Sequence, residues 1–422
     1  MSEPAFSEQI RRARGNFIAM AATYSLGVFN DSLFRDSAML IAVYEMGDKG
    51  RPLQNWVMAL FTLPYILFPW SSGWMADRFP KRHVVIGAKF LEVAAMLAGA
   101  VGILLLNWPL IFMMVFLMAW QSCIFSPALN GSIPELYPDA YVIKANAALK
   151  VVTTAAILGG ISVTGAILDV RGQCFGVPAG RALVAAAVLL VALLGVIASF
   201  GVPRRPAADP TAKFPWDGPL ATFRCLRDIW RDRMLRVVTV ADVFIWFVGA
   251  LLVQVIKLLA FQRGLSKTLA SGLLATWVVG VAVGGVLGSR IAVGPRWYRA
   301  LGPAAVVMGV FFIVIACVPL APETLQTRLL FPLLGLVALL GGMVLVPCEG
   351  FIQTRPPHER KGAVIASVNF CVFSGMLASC GLAYLLDLAF PATASFGVAG
   401  ALAVPVGLWL WFALPKADAH DH

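Results

Sequence analysis

"GWMADRFPKR" (residues 73–82) is a polar, basic break between two long apolar runs, and its recurrence decides the architecture. "GSRIAVGPR" (288–296) stands at the corresponding place after a later pair of apolar runs. Farther along each half, "PELYPDAYVIKAN" and "RPPHERKGAVIAS" again match in place, though not in residues. Two halves with their loops in register are the sequence form of a parallel structural repeat.

Outward from these loops, the chain is overwhelmingly apolar. Of its 422 residues 59% are hydrophobic and 13% charged, with a mean hydropathy of +0.82, well beyond the balance of a soluble domain. Apolar runs long enough to cross a hydrocarbon core as helices recur from end to end, and β-barrel alternation is absent. We therefore expect an all-α polytopic membrane protein of about twelve transmembrane helices in two six-helix halves. The spans are expected near 16–43, 53–75, 82–106, 109–127, 143–170, 180–202, 234–262, 268–289, 297–319, 325–348, 360–388 and 391–414.

The long polar interruption, rich in Pro and Arg, separates residues 1–202 from 234–422 and occupies 203–233. Within it "PLATFRCLRDIWRDRML" sets Leu220, Phe223, Leu226, Trp230 and Met234 at helical spacing among arginines. This pattern predicts a helix lying on the inner membrane surface, its arginines near anionic headgroups. A helix that binds a soluble partner is the alternative.

The charge excess is a topology signal. Of the loop and terminal Lys and Arg residues, twenty-two fall on the side of the termini and linker and seven on the other. Basic loops stay cytoplasmic, so both termini are expected there. The net charge of +11 is accordingly not a nucleic-acid footprint, since no basic stretch outside the spans is interleaved with aromatics. No cleavable leader is expected before the first span. None of the seven cysteines forms a CxxC pair, so neither metal, cofactor nor redox work is indicated. HxxxxD, GxSxG and P-loop motifs are missing too, which argues against an enzyme.

Gly73, Asp77, Arg78, Lys81 and Arg82 together resemble the loop motif of the major facilitator superfamily. That resemblance implies a cytoplasmic gate in which the Asp and the basic residues close by charge pairing. The physics fits, because a helix-terminal Asp beside a Gly and cations can make and break ion pairs as two bundles rock. Topology alone explains Lys81 and Arg82 but not the Gly or the Asp. More narrowly, "FNDSLFRDSAM", "ADRFPKRHVVIGAKFLE", "QSCIFSPALNGSIPELYP" with "KANAALK", "FIWFVGALL" and "GGMVLVPCEGFIQTRPPHERKGAVIASVNF" resemble the bacterial inner-membrane lysophospholipid transporters, including those fused to acyltransferases. The chain departs from that family's NDN at Ser32, from its PAKYG in "PALNG", and from its Asn at Glu349. No HxxxxD follows His83, His358, His420 or His422, so any acyltransferase partner is a separate protein.

The first span holds charges that lipid contact would forbid. Asp31 and Arg35 stand one helical turn apart, acid first, and can neutralise each other. Each charge near a helix centre costs about 2.5–3.5 kcal/mol to insert, so the face carrying Asn30, Asp31, Arg35 and Asp36 must point into the bundle. One reading is a structural pair that holds span one against its neighbours. The other is a headgroup or coupling-ion site, with Arg35 meeting a phosphate and Asp31 an amine or cation. Lys89 and Glu92 in span three are spaced to pair with each other, leaving Glu92 a second-rank site. Lys144, Asn146 and Lys150 open span five, where Lys144 can snorkel. Span seven carries Asp242, Gln254 and Lys257, of which Lys257 near the outer end can also snorkel and Gln254 is an interior contact. Glu349 and Asn369 are further candidates for a cavity wall. Spans five and eight, rich in small residues, are suited either to a lateral seam for an acyl chain or to ordinary tight packing.

These readings together imply a flippase that moves lysophospholipids such as lysophosphatidylethanolamine across the bacterial inner membrane by alternating access. It would work as a monomer among membrane lipids, with H+ or Na+ as candidate coupling ions. The alternative is a proton- or cation-coupled transporter of another amphiphilic solute or drug. A sensor with a transporter fold is a third class, distinguished by ligand binding without flux.

Overall fold

The computed structural model describes residues 3–418 except 131, 138, 175, 292, 293, 295 and 358–360. Helices account for nearly all of it. In chain order they are α1 (Glu3–Met46), α2 (Arg51–Leu67), α3 (Pro69–Arg78), α4 (Lys81–Leu105), α5 (Trp108–Asn130), the one-turn α6 (Ile133–Leu136), α7 (Asp139–Leu168) and α8 (Ala179–Ser199). After the linker come α9 (Gly218–Arg231), α10 (Arg233–Gln262), α11 (Lys267–Ile291), α12 (Leu301–Ala316), α13 (Glu323–Thr354), α14 (Lys361–Ala389) and α15 (Ala392–Asp418). A two-residue-per-strand hairpin, β1 (Gln173–Cys174) with β2 (Val177–Pro178), joins α7 to α8, with Gly172 and Gly176 supplying its positive φ angles.

Ten of the described helical segments, the first beginning at Lys81, are long and apolar enough to cross a membrane. The other two expected spans fall on helices that fail that measure for local reasons. α1 carries Asp31, Arg35 and Asp36 in its apolar part, and the run near 53–75 is split at Phe68 into α2 and α3. Pro69 causes the split, since its ring clashes with the carbonyl four residues back and disfavours helical geometry at Phe68. Elsewhere the ends follow ordinary capping. Leu106 turns through the left-handed region, Asn107 accepts the Leu110 N–H at 3.2 Å, and Asp232 caps α10 by accepting the Leu235 N–H at 3.0 Å. Large apolar side chains such as Leu105, Leu190, Ile197, Leu388 and Phe412 point outward, as lipid contact requires.

The chain forms two compact units. Unit 1 comprises residues 1–40 and 60–218, unit 2 residues 41–59 and 219–422. In unit 1 α4 packs on α5 and α8, and in unit 2 α12 packs on α13 and α15. These are the same pairings displaced by six spans, the internal form of the repeat seen in the loops. A core in unit 1 gathers Met20, Val85, Phe125, Ile133, Tyr137 and Leu149 from α1, α4, α5, α6 and α7. In unit 2 the segment 41–59 is held by Tyr44, whose hydroxyl donates to the Leu265 carbonyl at 3.0 Å, and by Lys267–Glu45 and Arg51–Asp387 ion pairs of 3.3 and 3.5 Å.

Particular glycines of spans five and eight are packed closely inside each unit. A Cβ at Gly160 of α7 would meet the Phe29 carbonyl of α1 at 2.7 Å, and one at Gly284 of α11 would collide with the Leu339 carbonyl of α13. Tight packing accounts for these two glycines, while Ser162, Ala166 and Ala282 are exposed. Lys257, for which snorkelling was an expectation, is fully buried in α10, so its ammonium does not reach an interface. The side chain of Lys144 lies outside the described residues.

Candidate functional site

The charges of the first span meet a polar seam inside unit 1. α1 contributes Asn30 and Asp31, α4 contributes Lys89 and Glu92, and α5 contributes Gln121, Ser122 and Phe125. Lys89 and Glu92 form a fully buried ion pair of 2.6 Å, each side chain 1% exposed. Asn30 donates its amide N–H to the other Glu92 oxygen at 3.0 Å. The Lys89 ammonium also lies 4.8 Å from the Phe125 ring centroid, a cation–π contact. Room for this lysine comes from Gly27, where a Cβ would stand 2.6 Å from its nitrogen.

Asp31 finds a partner that span one does not supply. Ser122 donates to Asp31 Oδ2 at 2.6 Å, and Gln121 donates to the Ser122 oxygen at 2.8 Å. Arg35 forms no ion pair with Asp31 among the described residues, and its guanidinium stacks 4.5 Å from the Phe61 ring centroid. The two charges act on each other only at longer range. Three buried acceptors of this seam, Asn30 Oδ1, Asp31 Oδ1 and Gln121 Oε1, have no donor among the described residues. Such groups are costly to bury without a partner, and each retains the capacity to accept a hydrogen bond. An ammonium offers three donors, and a nearby guanidinium suits a phosphate.

The expected Lys89–Glu92 pairing is thus present, and Asn30 and Asp31 share the seam with it. Arg35 stands one turn along. Asn146 and Lys150 lie on an exposed face of α7, away from these contacts. Gln254, Glu349 and Asn369 belong to unit 2. There Gln254 is buried, donating to the Ala250 carbonyl at 3.2 Å and to Cys380 Sγ at 3.8 Å, Glu349 is half-buried, and Asn369 is exposed. Gln121 and Ser122 were assigned no role from sequence, although a Gln-Ser pair after the apolar run 109–120 was a visible signal.

The loop at 73–82 grips the linker. Trp74 Nε1 donates to the Ala212 carbonyl at 3.1 Å, Arg78 donates to the same oxygen at 3.4 Å, the Asp209 N–H donates to the Asp77 carbonyl at 3.0 Å, and Arg82 donates to the Val202 carbonyl. Phe214 packs edge-on between Trp70 and Trp74 with centroids 5.2 and 5.0 Å away. Thr211, donating from its hydroxyl and N–H, holds the Asp209 carboxyl below its usual range. Asp77 itself is exposed, and among the described residues Asp77, Arg78 and Arg82 make no ion pair.

With this geometry in hand, the chain can be set beside known proteins. It is 30% identical over 398 residues to the lysophospholipid transporter LplT of Salmonella arizonae, covering 90% of this chain and 92% of that one. To the lysophospholipid transporter LplT of Enterobacter sp. it is 28% identical over 417 residues, covering 93% and 95%. Among solved structures, it resembles a D-xylose-proton symporter (TM-score 0.71, 16% identity, 95% of this chain and 98% of the other). A bacterial homologue of the human lysosomal transporter Spinster is similar as well (TM-score 0.66, 16% identity, 99% and 96%). At such identities the structural likeness speaks to fold alone. Residues 15–380 match the Major Facilitator Superfamily, and the chain belongs to that family as a multi-pass membrane protein.

Proposed function

We propose that this transporter moves lysophospholipids, lysophosphatidylethanolamine among them, across a bacterial inner membrane by alternating access, with both termini cytoplasmic. The observation that carries the reading is similarity to curated lysophospholipid transporters along nine-tenths of the chain. The seam in unit 1 supports it chemically. Asn30, Asp31 and Gln121 offer acceptors to the ethanolamine ammonium, Arg35 offers a cation to the phosphate, and the acyl chain follows apolar helix faces. In this reading Glu92 positions Asn30 through its carboxylate. Asn146 and Lys150 in unit 1, and separately Gln254, Glu349 and Asn369 in unit 2, serve as secondary substrate or coupling contacts.

Gly73, Asp77, Arg78, Lys81 and Arg82 act as the cytoplasmic gate, exchanging linker contacts for ion pairs as the conformation changes. A Cβ at Gly73 would meet nothing within 4 Å, so close packing does not require a glycine there. Helix α9, with Leu220, Phe223 and Trp230 exposed, lies on the inner membrane surface. Re-acylation of the delivered lipid falls to a separate acyltransferase, and the transporter works as a monomer.

Uptake of labelled lysophosphatidylethanolamine into proteoliposomes tests this, with wild type set against Asp31→Asn and Arg35→Ala, with and without proton or sodium gradients. Removing one partner of a buried charged contact costs about 2–5 kcal/mol, so each variant should lose at least about tenfold in uptake at sub-saturating lipid. Wild-type flux no greater than that of empty liposomes, in folded protein, overturns the reading in favour of another amphiphile.

A further inference from the structure

Each unit has a cleft at the same place in the repeat, between the start of its third span and the stretch that ends its sixth. In unit 2 Tyr298, Arg299, Trp411 and Leu414 help to line about 210 Å³ between α12 and α15, with Arg299 the one cation there. In unit 1 the counterpart, of about 270 Å³, lies between the first turn of α4 and the chain leaving α8. Its lining is Pro80, Arg82, His83, Arg204, Arg205 and Pro206. Three guanidiniums and an imidazole therefore share one space that no carboxylate lines. Among the described residues none of these three arginines is in an ion pair.

The backbone holds these cations in place. Beyond the end of α8 the Gly201 and Val202 N–H groups donate to the Ala198 and Ser199 carbonyls at 3.0 and 3.1 Å. Val202 is buried in the unit 1 core with Val84 and Val85 of α4, and Arg82 donates to its carbonyl. Pro203 then fixes its own φ and Pro206 drives Arg205 toward extended backbone, so the arginines between them have little freedom left to lose on binding. Topology accounts for the sign of these residues but not for their gathering around one cleft. Like charges so placed repel, and an anion seated among them removes the repulsion. The depth of the cleft suits a headgroup. α4 runs 25 residues, about 37 Å by helical rise against a hydrocarbon core of about 30 Å, so its first turn lies at the level of lipid phosphates. Phe79, next to Pro80 and 43% exposed, is held edge-on by Trp74 at 5.7 Å and puts an apolar ring beside the charges. A lipid can use both, whereas a free phosphate uses the charges alone.

We propose that this cleft binds the phosphate of an anionic membrane lipid, with Arg82, Arg204 and Arg205 as its charged contacts and His83 as a further donor. A headgroup bound there bridges α4 to the first residues of the linker and reinforces the contact between Arg82 and Val202. Attachment of the linker to unit 1 then depends on lipid composition. Of the gate residues the site uses Arg82 alone, and a headgroup on it opposes release of the linker. None of the seam residues takes part, so the site stands whatever the cargo is.

Equilibrium binding of radiolabelled phosphatidylglycerol to the full-length protein in detergent, read by scintillation proximity, tests this. Arg204→Gln/Arg205→Gln removes two exposed cations without touching the core, and should weaken binding roughly thirtyfold. Arg204→Lys/Arg205→Lys, which keeps both charges, should restore most of the affinity. Arg299→Gln, in the counterpart cleft of unit 2, should leave it unchanged, and unlabelled phosphatidylcholine should compete poorly. Equal affinity in wild type and the double Gln variant, or an equal loss in Arg299→Gln, would overturn the site. Full displacement of the lipid by inorganic phosphate at millimolar concentration would overturn the lipid as its ligand in favour of a soluble phosphate.

Discussion

The Lys89 ammonium lies where nothing but protein surrounds it. Its position is tolerable because Glu92 sits one turn away and Gly27 leaves space for the ammonium. Removing one member of such a pair strands the other, at a cost of about 3–5 kcal/mol, whereas replacing both with apolar residues is often neutral. We expect Lys89→Met to lower stability by about that amount in detergent unfolding, and Lys89→Met/Glu92→Leu to recover most of it. Equal stability of Lys89→Met and wild type would show that the pair holds nothing together. This pairing was legible, because both partners lie on one helix at a fixed spacing. The partner of Asp31 was not legible. Spacing nominated Arg35, but Ser122, 91 residues away, reaches the carboxylate because α1 and α5 meet there.

At the level of elements, two helical glycines do opposite jobs. Gly284 lets the α11 backbone touch α13, and any side chain there strikes the Leu339 carbonyl. A Cβ at Gly73 would meet nothing within 4 Å. Gly284→Val should therefore abolish a monodisperse, folded protein. Gly73→Ala should leave stability equal or higher by up to about 1 kcal/mol, from helix propensity, while slowing transport if the gate needs its flexibility. Size-exclusion profiles and unfolding curves, read beside liposome flux, check both. A Gly73→Ala variant with unaltered flux would remove flexibility at residue 73 from the gate. The break at Phe68 was similarly hidden within an expected single span, although Pro69 was its visible cause.

For the whole molecule, the loops announced a six-plus-six repeat, and the helix pairings inside each unit repeat with that offset. The division by contact is less simple, because residues 41–59 belong with 219–422. A fragment of residues 219–422 expressed alone lacks Glu45 for Lys267, Arg51 for Asp387 and the Tyr44 ring against Phe261. It should accumulate poorly in membranes and recover when residues 1–218 are co-expressed. Equal abundance in both cases would make that segment dispensable to unit 2. Hydropathy and loop register, being properties of local composition, determined the helical class and the repeat from sequence alone, and motif resemblance pointed to the family. Which buried polar atom meets which, where the glycines touch, and that residues 41–59 group with 219–422 were decided only by tertiary structure. A hydrogen bond or ion pair across helices depends on crossing geometry, and chain spacing does not encode that.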